Sequence, residues 1–300
     1  ASFANDVNDL GQATGNSQTP AGDPSPRLNA YLTGPRGSSM TSLGVLPGSN
    51  NFSRGYAVND RGVVVGESGN GPSYAFVYKD GVMSNVGSLN TAGTGVAYDV
   101  NNAGTIVGSS FNGTASKPFL RDDSGIHELG TIAGTATATG SARGVSENGL
   151  VVGVSSNGAV SHATLWQGGP GGDVVDLGAL GDAGNFSQAL AVNDGGLVVG
   201  SSVLGTVSPT SSTDLYHAFA WKDGVMTDLG GLASRPDYAH GEARDVNASG
   251  LIVGYVARLY GSPTFGGAAV LWDGGVAYDL NGLVAGADGW NLLSAEGVND

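Results

Sequence analysis

The chain has no cysteine, so neither a disulfide framework nor thiolate chemistry is open to it. It is also poor in positive charge: 12 Lys and Arg stand against 26 Asp and Glu, a formal net charge of −14. Such a surface repels phosphate backbones and offers an anionic membrane no basic patch, so no nucleic-acid partner is expected. No apolar run approaches the roughly 20 residues of a membrane span, so no membrane insertion is expected either. The only lysines are Lys79, Lys117 and Lys222, and none sits in a phosphate-binding glycine loop. No Gly-x-Ser-x-Gly elbow occurs. The four histidines, His127, His162, His217 and His240, lack the spacing of a zinc helix. Long helices are disfavoured as well, because Gly fills 53 of 300 positions and each interior glycine costs a helix about 1 kcal/mol against Ala.

What is present is a repeat. The phrase Ala-x-x-Val-Asn-x-x-Gly-x-Val-Val-Gly returns as ANDVNDLGQATG (4–15), GYAVNDRGVVVG (55–66), AYDVNNAGTIVG (97–108), ARGVSENGLVVG (142–153), ALAVNDGGLVVG (189–200) and ARDVNASGLIVG (243–254), and a seventh copy stands as AEGVND at 295–300. A second phrase follows each full copy, clearest as HAFAWKDGVMTDLGGL (217–232). The Asn or Ser of the first phrase falls at 8, 59, 101, 146, 193, 247 and 299, steps of 42 to 54 residues, a period that marks a repeat architecture.

Each phrase reads as a β-hairpin. Around Asn59-Asp60-Arg61-Gly62, the short strand Tyr56-Ala57-Val58 and the β-branched strand Val63-Val64-Val65 flank a turn in which Gly62 supplies positive φ. Lys79-Asp80-Gly81 does the same for a second pair of strands. A unit of four short antiparallel strands in about 45 residues is the size of a propeller blade, and its consecutive apolar runs suit sheets buried on both faces. The expected fold is therefore all-β: a single β-propeller over 1–300 with six four-stranded blades. The repeats fall at approximately 1–49, 50–92, 93–137, 138–184, 185–238 and 239–292, with a partial seventh at 293–300. The glycine richness reads as turn chemistry throughout.

The phrases resemble the HAF-repeat family of probable extracellular bacterial proteins. His-Ala-Phe is intact at His217-Ala218-Phe219 and partial at His162-Ala163 and Ala75-Phe76, and Asp-Leu-Gly stands at 176–178 and 228–230. The resemblance implies export and a repeated β-fold, and it brings no catalytic residues. The opening Ala1-Ser2-Phe3 is compatible with a mature terminus left after cleavage at a small residue, which agrees with a secreted or cell-surface location.

Candidate sites follow from chemistry placed outside the repeat. Long connections at 16–28, 133–141, 201–216, 233–242 and 256–266 are the expected binding side. Arg235, Asp237, Tyr238 and His240 put a cation, a carboxylate, a phenol and an imidazole in one connection, a set suited to a sugar. Asp6, Asp99 and Asp245 precede Val-Asn in three innermost strands and are the candidate ligands for a calcium ion in the channel; the other units carry Ala57, Gly144 and Ala191 there. Trp166, Trp221 and Trp272, with Tyr78, share a register and read as core between blades, and His162 and His217 as strand-edge structure. No cofactor is called for. The function expected is a non-catalytic binding or structural scaffold, with carbohydrate or another protein as partner. A glycan hydrolase or lyase, and a subunit self-associating through a terminal strand, are the alternatives.

Overall fold

The computed structural model describes residues 2–18, 27–48, 52–91, 93–181, 186–206, 214–258, 266–284 and 289–300. The described residues are all-β, with 24 strands and two short 3-10 turns among them at Pro35–Gly37 and Leu280–Gly282. The strands form six successive antiparallel units of four, and a single bridge between Leu28 and Phe52 joins the first two units into one sheet. The fourth unit is representative: Gly140–Val145, Val151–Ser156, Ser161–Gln167 and Asp173–Asp176, each strand paired with the one before. The first strands of the others are Ser2–Val7, Phe52–Val58, Gly95–Val100, Ser187–Val192 and His240–Val246.

Local chemistry makes the hairpins. Gly62, Gly104, Gly149, Gly196 and Gly250 close the first turn of their units at φ between +71° and +89°. Asp80 and Gly81 at φ +52° and +82°, and Asp223 and Gly224 at +50° and +88°, give the second turn two consecutive left-handed residues, the geometry a two-residue hairpin needs.

The core is divided among the junctions between units. Val65 and Ala75 meet Ile106 and Phe119, Leu165 and Ala163 meet Val198 and Phe219, and Val199 and Ala218 meet Val270 and Trp272. Both faces of a sheet are thus apolar, which is why apolar residues run consecutively in the sequence. Trp166 and Trp272 are buried at such junctions, and each indole N–H donates to a carbonyl of the preceding unit, Gly130 at 2.8 Å and Gly230 at 3.3 Å. The His-Ala-Phe and Asp-Leu-Gly phrases pair within a unit: His162 Nδ1 lies 2.9 Å from Asp176 and His217 Nδ1 2.7 Å from Asp228, across neighbouring strands. The same carboxylates accept the backbone N–H of Gly178 and Gly230, so the His and the Asp together hold the third strand to the exit of the fourth.

The recurrent Asn joins unit to unit. Asn59 accepts from Arg61 N and Val63 N through Oδ1, closing its own turn, and donates from Nδ2 to the carbonyl of Asn101 in the next unit. Asn8 reaches Asn59, Asn101 reaches Ser146, Asn193 reaches Asn247, and Asn247 reaches Asn299 in the same way. Ser146 has no amide to offer, and Asn148 takes over, donating to Asp194. The circuit returns to its start, because Asp300 N donates to Asp9 Oδ1 at 3.1 Å. The seventh phrase, 295–300, therefore stands between the sixth unit and the first, hydrogen-bonded to both.

Candidate functional site

Every first strand carries a β-bulge at one register. In the second unit Gly55 pairs with Gly66 and Ala57 with Val65, which leaves Tyr56 outside the ladder. The same shift leaves out Asn5, Tyr98, Arg143, Leu190 and Arg244 in the other units. A bulge bends its strand and re-aims one side chain. Here all six bulged residues, joined by Glu296 of the seventh phrase, line one cavity of 380 Å³. Asp6, Asp99 and Asp245, next in sequence to three of these residues, line it too.

The bulge explains a set of glycines that turns do not. Gly15, Gly66, Gly108, Gly153, Gly200 and Gly254 end the Val-Val-Gly phrase inside the second strand, and a Cβ at any of them would collide with the carbonyl oxygen of the facing first strand. The expectation that glycine richness is turn chemistry is corrected at these six positions: close backbone approach across the bulge demands them.

The floor of the cavity holds the three aspartates. Asp6 accepts from Val7 N at 2.7 Å and, across the junction, from Val58 N at 2.8 Å. Asp99 bridges Val100 N and Val145 N, and Asp245 bridges Val246 N and Val298 N. Each carboxylate thus reaches into a unit that carries Ala57, Gly144 or Gly297 at the same register, where no side chain blocks it. Burial pushes all three up, Asp6 well above the usual carboxylate range and Asp99 to about 7, against the pull of the two backbone N–H groups on each. The sequence suggested that these residues meet around a calcium ion in a channel; in the structure all three line the same cavity. Their oxygens are committed to main-chain donors, however, and among the described residues no group of three or more His, Cys, Asp or Glu is arranged to hold a metal ion.

Around the rim, charge is paired in most places. Arg54 meets Glu67 at 2.9 Å, and Tyr56 donates to the same carboxylate at 2.8 Å. Arg244 lies 2.8 Å from Glu242 and 3.6 Å from Glu296. Arg143 differs in making no ion pair among the described residues: its guanidinium lies over the Tyr98 ring, 4.1 Å from the centroid, and its Nε, like that of Arg244, is enclosed without a hydrogen bond. Tyr98 and Tyr56 are themselves tilted at 45° with centroids 5.5 Å apart.

No family model matches this chain, and no curated protein does. Among solved structures it is similar to a crystal structure of a puromycin hydrolase mutant complexed with PGG, at 15% identity and a TM-score of 0.47. The likeness covers 92% of this chain and spans about half, 53%, of that one.

The residues singled out in the connection after the fifth unit are placed otherwise than the sequence suggested. Tyr238 is buried in the core between the fifth and sixth units, because its ring fills that junction, and Arg235 stacks on it while pairing with Asp279 at 2.8 Å. Asp237 faces solvent and pairs with Arg258 at 2.9 Å. His240 is not in the connection at all: it opens the first strand of the sixth unit opposite Ala257 and stacks on Tyr216, and burial holds its imidazole below the usual histidine range. Of the other long connections, 19–26, 207–213 and 259–265 lie outside the described residues. Sequence reasoning missed the bulged ring. The signal available was that the residue before Asp/Ala/Gly-Val-Asn reads Asn, Tyr, Tyr, Arg, Leu, Arg and Glu in a phrase otherwise nearly constant.

Proposed function

We propose that this protein is a β-propeller of six four-stranded blades with a seventh position filled by the phrase 295–300, and that it acts as a non-catalytic binding module through the axial cavity. The observation that carries this reading is the bulged ring. Seven side chains of five kinds converge at a register where the repeat abandons its own sequence, while the residues that build turns, ladders and cores recur. Side chains held out of the ladder contribute little to pairing and are free to serve a ligand. The four acids lining the cavity favour binding over hydrolysis. Asp6, Asp99 and Asp245 are bound to backbone amides and Glu296 to Ser294 and Arg244, so none stands as a free pair across the opening. The resemblance to HAF repeats supports an exported, extracellular or cell-surface setting, and the tyrosines support a carbohydrate partner.

The test is a thermal-shift screen against neutral and acidic oligosaccharides, with and without calcium, on the wild type and on a Tyr56→Ser, Tyr98→Ser variant. A sugar-dependent rise in the wild type that disappears in the variant is the expected result. A rise that survives the double substitution, or one produced by calcium alone, refutes the axial site.

A further inference from the structure

The geometry points to the chemistry of the axial ligand: we infer that it carries a carboxylate on a six-membered ring, with Arg143 receiving the carboxylate and Tyr56 and Tyr98 the ring. This rests on the reading of the axial cavity as the binding site and names what that site selects.

The argument starts from a charge left over. In a chain with 26 acidic and 12 basic residues, a cation should find an anion easily. Arg244, the other arginine lining this cavity, does so, with Glu242 at 2.8 Å. Arg143 makes no ion pair among the described residues, although it is half-buried and its Nε is shut away from water without an acceptor. An enclosed, unpaired donor of this kind is costly to the folded state and marks a place where an acceptor is missing. Stacking on Tyr98 fixes the guanidinium plane before any ligand arrives, and a fixed plane is what bidentate capture of a carboxylate requires.

The surroundings narrow the anion. Glu296 and the three aspartates line the same cavity, and no second unpaired cation is among its lining residues. A phosphate dianion would meet one positive charge and several oxygens, whereas a carboxylate brings one charge for one arginine. The tilted pair Tyr56 and Tyr98 offers flat apolar area beside that arginine, and Leu190 and Ala191 continue the wall on its other side, which suits a ring rather than a chain. A cavity of 380 Å³ takes one such ring with its substituents.

The experiment titrates the folded protein in calcium-free buffer with a galacturonate oligomer, with its methyl ester, which keeps the ring and removes the charge, and with benzoate as competitor. The variant is Arg143→Leu; Leu190 occupies the same register one unit on, so the fold accepts leucine there, and a thermal melt verifies it. The acid form should bind roughly ten- to a hundredfold tighter than the ester, the size of one charge-assisted hydrogen-bonded pair. Arg143→Leu should bring the acid down to the ester and leave the ester unchanged. Benzoate displacing the oligomer at equal concentration supports the carboxylate and assigns the ring to an aromatic acid rather than a sugar. If ester and acid bind alike, or if Arg143→Leu leaves the acid unaffected, the carboxylate inference is overturned while axial binding stands. If neither binds the folded wild type, both this inference and the binding reading of the cavity fall for ring ligands.

Discussion

Substituting Gly153 by Ala tests the bulge itself. Gly153 pairs with Ala142, and Val152 pairs with Gly144, so Arg143 is the residue lifted out between them. A Cβ on Gly153 would lie 2.9 Å from the Cα of Ala142 and closer still to the carbonyl oxygen of Ser141, distances that real Cβ atoms do not adopt. Both contacts are backbone, so no side chain can swing aside; the first strand must move or the ladder must open. Overpacking that forces backbone shifts costs about 1–3 kcal/mol and occasionally more, and this site belongs at or above the upper end. Gly149→Ala in the neighbouring turn is the control. Its φ of +87° makes alanine unfavourable by roughly 1–2 kcal/mol, yet its Cβ would meet nothing within 4 Å. The expected order of urea midpoints is wild type, then Gly149→Ala, then Gly153→Ala, and Gly108→Ala and Gly200→Ala should match Gly153→Ala because their first-strand carbonyls approach in the same way. Gly153→Ala should also displace Arg143 and weaken whatever binds it. A Gly153→Ala variant no less stable than Gly149→Ala would refute the claim that the bulge imposes this glycine.

Two further outcomes follow from the buried aspartates and the Asn circuit. Burial pushes the Asp99 carboxyl up to about 7 from its ordinary 3.8, so the folded state keeps a proton that the unfolded state has lost between those limits. Its stabilising contribution is complete below the lower value and gone above the upper one, a change of about 4 kcal/mol. The stability difference between wild type and Asp99→Asn should accordingly shift against the wild type from pH 4 to pH 8; a pH-independent difference refutes the burial argument. Asn59→Ala should cost about 2–3 kcal/mol, because it strands the N–H groups of Arg61 and Val63 and the carbonyl of Asn101, whereas Lys79→Ala on the surface should stay within about 0.5 kcal/mol; equal midpoints would show that the Asn circuit is idle.

The units, turns and core were legible because each is built by a residue doing one backbone task in every copy. Asn at 59, 101 and 193 closes its turn and reaches the next unit, Gly62 and Gly149 take positive φ, and Phe76, Phe119 and Phe219 fill junctions. The pairing of His217 with Asp228 also left a trace, as two phrases that recur together, but sequence alone does not say that they touch. The bulge left no comparable trace. Tyr56-Ala57-Val58 reads as an unbroken strand, and only the register with Gly66 and Val65 shows one residue too many. The connection from Arg235 to His240 misled for the opposite reason. Its residue types suit a sugar site, yet Arg235 is taken up by Asp279, a residue of another strand that local sequence cannot pair with it.

The two features around the cavity, the six glycines and the bulged residues, are one device. A residue outside the ladder adds nothing to strand pairing, and at this register it points away from the junction cores, so its identity is not fixed by the fold. Asn, Tyr, Arg, Leu and Glu can then alternate round one opening without disturbing Val64, Val107 or Val198 behind them, all of which are fully buried. The requirement is displaced onto the partner strand, where only glycine admits the carbonyl that the bulge pushes forward. The constancy of Val-Val-Gly and the variability of the residue facing it are therefore cause and consequence: one position is held at glycine so that the other is free to be chosen for what the cavity holds.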